Sequence, residues 1–407
     1  MNKKSLLQTK KTAFALGIVL IAFVLLIVIG ISLLNIGLQS RLQSVRAASD
    51  IAAKCAADSG LTKALFEMNQ KLQVKPWSQG VLPTGTNESL PGSDATFTYS
   101  VTGDVGSGYV VESTGQYGRA QRTVRSVLKL ASIFDKAVFT KGNLELKNGT
   151  VVDSYNKDAD DGNMLVGTNS ASAAAVIMKS GVTINGDVVV GVGADPDVVI
   201  DRGADTTITG ETYSLTESYD FPPVTVPDYL TKLPKLSIKT DKDGFGIIGG
   251  LGKLEHINLA NGQILRVDSP TTIYVSGNII LDNTSQLQIA DEATAPNASL
   301  TIYLGGNFEC KNGGFLNNLA QDPKKLRIYG LAGCKSIDLK TDSRFYGTIY
   351  GPNADLHAYN SVEVFGSVVT KSYVQDVSAA FHYDASLNNV SVNDAGVHFV
   401  VTRWYEQ

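Results

Sequence analysis

The stretch FYGTIYG, Phe345 to Gly351, sets an Ile-Tyr pair among small residues, and that pair keeps returning along the chain. It stands in TTIYVSGN at Ile273-Tyr274, in LTIYLGGN at Ile302-Tyr303 and in LRIYGLAG at Ile328-Tyr329. VFGSVVT, Val364 to Thr370, repeats the order of FYGTIYG with Val368 in the isoleucine position. The two best copies begin at Thr272 and Thr301, and later copies follow at shorter and unequal intervals. A fixed strand motif separated by variable insertions is the mark of a β-solenoid, because each coil stacks its strand on the one before while loops of any length leave between coils. In-register stacking predicts an interior ladder of Ile273, Ile302, Ile328, Ile349 and Val368, with the tyrosines alternating outward to stack on one another. An active site occurs once, whereas packing demands the same pair on every rung. The motif therefore reads as scaffold.

Composition agrees with a mainly β chain. Only 18% of the 407 residues are charged, and 39 glycines stand among many Ser, Thr, Asn and Asp residues, as turns between short strands require. The length allows two or three packed units. Lys3, Lys4, Lys10 and Lys11 lie in the first 34 residues without any acid, so the rest is more acidic than the formal net charge of −4 suggests. No Lys/Arg cluster with interleaved aromatics is present, and nucleic acid is not an expected partner.

The run Ala13–Leu34 holds no charge. At 22 residues it is long enough to cross the roughly 30 Å hydrocarbon layer as a helix. It exceeds a signal-peptide core and lacks a small-residue cleavage site, so a retained anchor is expected. The lysines before it place the N-terminus in the cytoplasm and the remainder on the far side of the membrane. Helical periodicity continues through Leu38, Leu42, Val45, Ala48, Ala52 and Cys55, and resumes at Leu61, Leu65, Met68 and Leu72. One helix from about Thr12 to about Gln73, on the order of 90 Å long, is predicted, with Cys55 packed on its apolar stripe.

The expected organisation is a basic tail (1–11), a transmembrane helix (12–34), an amphipathic stalk (35–75), a linker and small antiparallel sheet (76–136), a β-helix (137–387) and a C-terminal β cap on the solenoid (388–407). The small sheet rests on the alternating runs FTYSV, GYVVES and RTVRSVLKL. An apolar helix that continues as a stalk into a β-rich head resembles the type IV pilin plan. The run AAKCAADSGLTKAL, with Asp58 in the acidic position, resembles PilX-like pilus-assembly proteins over about the first 75 residues. The flank KKTAFAL lacks the Gly-Phe type of prepilin junction, and no Glu opens the apolar run. From about Ala137 to Leu387, VVDSYN, FYGTIYGPNADLHAYNSVEVFGSVVTKS and FHYDASL resemble the right-handed β-helix domain that follows PilX-like helices in bacterial envelope proteins.

Chemistry is sparse. The acid-base candidates on late coils are Arg327, Asp338, Lys340, Asp342, Arg344, His357, Glu363 and Lys371, and nothing in their spacing makes two of them converge. DADDG, Asp158 to Gly162, fails the calcium-loop register and reads as an acidic turn. His256 and His398 sit in alternating apolar runs, and His382 has a structural hydrogen-bonding role. Cys55, Cys310 and Cys334 match no zinc or redox spacing; Cys310 and Cys334 are either bridged or stacked as free thiols. No catalytic residue, cofactor or metal site is nominated. The resemblance implies a membrane-anchored structural or adhesive protein that meets pilin-like or secretion-platform helices in the inner membrane, with a head that meets a surface glycan or protein. A polysaccharide-active β-helix enzyme and a plain surface spacer are the alternatives.

Overall fold

The computed structural model describes residues 3–72, 74, 77–156, 164–236, 238, 241–317, 319–388, 391–392 and 397–406, with side chains from 18 onward. The architecture is mainly β, with one long N-terminal helix, a small antiparallel sheet and a large parallel sheet wound as a solenoid. The chain divides into two compact units, Met1–Leu130 with His398–Gln407, and Ala131–Val397.

In the first unit, helix α1 (Lys3–Leu72) is continuous. Its C-terminal part buries Ala53, Ala56, Ala57, Leu61, Ala64, Met68 and Leu72, a three- and four-residue spacing that gathers one face. That face lies on the strands that bury Phe97, Tyr99, Val101, Tyr109 and Val111. The small residues bring the helix close. A Cβ at Gly115 would stand 2.0 Å from the Ala53 carbonyl and 2.4 Å from the Ala57 nitrogen, so only glycine fits where strand and helix backbones meet. Cys55 is exposed on the opposite side of α1, contrary to the expected packed thiol. At 100° per residue, the stripe that includes Ala48, Ala52 and Cys55 is turned away from the one that includes Ala53, Ala56 and Ala57.

The sheet runs in the order Thr84–Ser89, Thr96–Asp104, Gly108–Tyr117, Ala120–Ser132 and finally Val397–Glu406. The C-terminal strand was expected to cap the solenoid; it instead extends the small sheet. Phe399 explains the choice, since it is buried against Tyr109 (ring centroids 5.2 Å) and Trp77 (6.0 Å), while its backbone exchanges hydrogen bonds with the Asn69 amide. The solenoid is thus inserted in the chain between the last two strands of this sheet.

In the second unit every recorded strand pairing is parallel, and the strands form three faces. The interior ladder has the expected register: Ile273 pairs Ile302, then Ile328, Ile349 and Val368, and it continues to Val138, Val166 and Val188. All eight side chains are at most 1% exposed. The order of coils in space is not the order in sequence. One stack is built from 138–214, a second from 245–384, and the last strands of the second (Glu363–Gln375 and Ala380–Asp384) pair with the first strands of the first (Val138–Thr140, Leu144–Leu146 and Val151–Tyr155). The two stacks make one continuous core across this splice.

One corner is marked by a column of tight turns whose third residue has positive φ: Gly262, Thr284, Gly313, Asp342, Ser361, Ser378, Gly149, Gly181 and Asp205. Amides in the column reach the next coil, as when Ser361 N–H donates to the Val377 carbonyl and Gly149 N–H to that of Ser180. Left-handed backbone costs an L-residue about 1–2 kcal/mol, and glycine costs about 0.5–1 kcal/mol in chain entropy. Ser361 is exposed at φ 59°. Ser361→Gly is therefore expected to raise stability by about 0.5–1 kcal/mol in denaturant titration; a loss of stability would contradict the turn assignment.

Candidate functional site

The three faces of the solenoid differ in what they leave open. The second face carries the Ile-Tyr strands, and its outward tyrosines are covered in part. Tyr303 and Tyr329 do stack, with centroids 5.5 Å apart, but Tyr329 and Tyr350 are only 6% and 2% exposed. A strap formed by Leu215–Val226 covers the column. Tyr219 lies 4.9 Å from Phe139, Phe221 lies 6.0 Å from it, and the Tyr350 hydroxyl donates to the Pro222 carbonyl at 2.8 Å. The Lys136 ammonium sits 4.0 Å from the Tyr219 ring, a cation–π contact in a half-closed setting. Burial raises the phenol pKa of Tyr219, Tyr303 and Tyr350. These residues close the face.

The first face is covered in part, by Pro323 beside Gly366 and by the Tyr155 ring, which meets Phe365 edge-on at 5.9 Å. Tyr346, Phe365 and His382 stack in a ladder at 4.4 and 4.6 Å, and the His382 ring meets Asp153 through Nδ1 at 2.5 Å. Arg344 and Glu363 pair beside it at 2.6 Å, across neighbouring coils. Stacking occupies the ring faces, and the three rings stay half-buried beside the ionic pair. This face can offer hydrogen bonds to a ligand.

On the third face Asp338, Lys340 and His357 come together, joined by Tyr359, Asp376 and Lys147. His357 stacks on Tyr359 at 3.8 Å, Lys340 Nζ lies 3.8 Å from the same ring, and Asp376 takes Lys147 at 2.6 Å and His357 Nε2 at 3.0 Å. Burial works against ionisation of Asp376, yet the bonds to Lys147 and His357 outweigh it and hold the carboxyl below its ordinary range. Each charge here is consumed by another. The remaining candidates lie elsewhere: Arg327 on the second face, Asp342 in the turn column, Arg344 and Glu363 on the first face, and Lys371 paired with Asp355 at 3.0 Å.

His256 accepts a hydrogen bond from the Asn278 amide, and His382 finds its partner in Asp153 rather than in its sequence neighbours. DADDG lies outside the described residues. Cys310 and Cys334 are free, buried thiols whose pKa burial pushes up to about 12. Among the described residues, no three His, Cys, Asp or Glu side chains are grouped to hold a metal ion. Sequence reasoning missed the strap; its signal was the proline-rich, aromatic run Tyr219 to Pro227, which has neither strand alternation nor helical period.

Among the described residues, a long run of exposed apolar side chains lies on α1. The described helix from Ile18 is long and apolar enough to cross a membrane, and its most apolar part is not buried among the described residues. Leu26, Leu33 and Leu34 are 67%, 64% and 70% exposed.

A family model described as a domain of unknown function (DUF7305) matches residues 255–390. No match was found among curated proteins. Among solved structures, an ice-binding protein from an Antarctic Flavobacteriaceae bacterium is similar over 62% of this chain, at 16% identity and a TM-score of 0.35; this chain spans 47% of its length. The competence-associated pilin ComZ of Thermus thermophilus is similar over 88% of this chain and 97% of its own, at 11% identity and a TM-score of 0.30. An ice-binding protein domain of Shewanella frigidimarina covers 62% of this chain and 95% of its own, at 11% identity and 0.30.

Proposed function

We propose that the chain is a membrane-anchored, pilin-like envelope protein of structural or adhesive role, held by α1 and presenting the β-helix outside the cytoplasm. The observation that carries the reading is the division of labour along one uninterrupted helix. Its apolar N-terminal part is exposed among the described residues, while its C-terminal part is buried on an antiparallel sheet. In lipid a lone helix satisfies its own backbone, and the hydroxyl of Ser32 closes its hydrogen bond on the Val28 carbonyl within the helix, so the segment suits a bilayer or a bundle of like helices. In this reading the apolar face of α1 contacts the helices of a type IV pilus or type II secretion-like assembly, and the first face of the β-helix, with Tyr346, Phe365, His382, Arg344 and Glu363, meets a surface glycan or protein.

A photo-reactive residue placed at Leu26 in the full chain tests the assembly role in cells. Adducts to small membrane proteins are expected. Adducts to lipid alone would sink the assembly role and leave an anchored spacer.

A further inference from the structure

Every ordinary pair of neighbouring coils is joined by the chain running from one into the next. At the splice that link is missing. The partners there are far apart in sequence: Ser367 Oγ donates to the Lys136 carbonyl, Tyr383 to the Phe134 carbonyl, Gln375 to the Val151 carbonyl and Asn156 to Asp384. Separation of the two stacks at this plane breaks strand pairings and packing but no coil, so it is a way for the solenoid to open locally that leaves both stacks wound.

The strap crosses this plane. Its Tyr219 backbone is gripped on the side of the first stack by the Asn169 side chain, which donates at 2.6 Å and accepts at 3.0 Å, and its ring packs on Phe139. Three residues on, the Pro222 carbonyl takes the hydroxyl of Tyr350 from the second stack. Ile133, Phe134, Phe139, Val189, Tyr329, Tyr350 and Val369, drawn from both stacks and the entering chain, form a small core of their own beneath it, with Tyr219, Phe221 and Val224 as its lid.

We propose that the strap is a latch: its seated aromatic residues hold closed a solenoid assembled from two separately wound stacks, and unseating it opens the splice while each stack stays intact. Amide hydrogen exchange on the full chain tests this. In a Tyr219→Ala, Phe221→Ala variant, exchange at 138–155 and 363–384 is expected to rise at least tenfold, while 264–281 and 299–310, inside the second stack, change less than twofold. A uniform rise, or none at the splice, would overturn the latch. Should that variant fail to fold, Tyr350→Phe removes only the bond to Pro222, and a two- to fivefold rise confined to the splice is expected; equal rates at the splice and in the stack interior would count against the proposal just as firmly.

Discussion

Lysine at both Leu25 and Val28 is expected to shift the full chain from the membrane fraction to the soluble or aggregated fraction. Leu25 and Val28 are 57% and 54% exposed, so the substitutions remove no buried packing among the described residues. A central lysine costs insertion about 2.5–3.5 kcal/mol, and the leucine or valine it replaces had favoured insertion by about 0.3–0.6 kcal/mol. Two such changes remove about 6–8 kcal/mol, more than snorkelling from the middle of a span restores. Alkaline extraction of membranes reads the result, and the unchanged chain should stay in the pellet. Double-lysine protein that resists extraction as well as the parent would show that the helix is held by something other than lipid. Tryptophan fluorescence supplies the control, since Trp77 and Trp404 both lie in the unit built on α1 and the small sheet. Their emission should be the same in both proteins.

What the sequence disclosed and what it withheld divide along a physical line. A period of two assigns a side chain to one side of a strand, and a recurring pair assigns equivalent rungs, so the ladder from Ile273 to Val368 was legible residue by residue. The same pattern is silent about which segment lies over the outer side. Tyr350 alternates outward as predicted, yet it is closed off by Pro222 from a run with no period of its own. Nor does alternation name the neighbour of a strand. Val397–Glu406 carries a strand signal that fits either an open solenoid end or a sheet edge, and only the burial of Phe399 beside Trp77 and Tyr109 selects the second. Cys55 was misplaced for a related reason. Alanines line α1 on two sides, and helical spacing alone does not say which stripe meets a sheet; Gly115, whose missing Cβ admits the Ala53 and Ala57 backbone, settles it. Spacing did not show that Asp338, Lys340 and His357 gather on one face, and the pairs Asp376 with Lys147 and Asp153 with His382 come from coils that only the splice makes adjacent.

The ladder itself carries the largest test of the β-helix. Ile328 is fully buried between Ile302 and Ile349, with neighbours fixed above and below by backbone pairing. Ile328→Ala is expected to cost about 2–5 kcal/mol, the loss of transfer energy together with a cavity that stacked coils are slow to close. Ile328→Asp should prevent the solenoid from forming at neutral pH, because an unpaired carboxylate at that depth has no partner to offset its desolvation. Ile247→Ala, at a strand position 62% exposed, is the matched control and should change stability by less than about 0.5 kcal/mol. Far-UV circular dichroism under denaturant reads the loss in the β-helix. Fluorescence from Trp77 and Trp404 reads the other unit in the same sample, so a fall in the first signal alone locates the damage. A cost below about 1 kcal/mol for Ile328→Ala would mean that the Ile-Tyr rungs are not the packed interior of the coil. The recurrence in the sequence would then need a cause on the outside of the molecule.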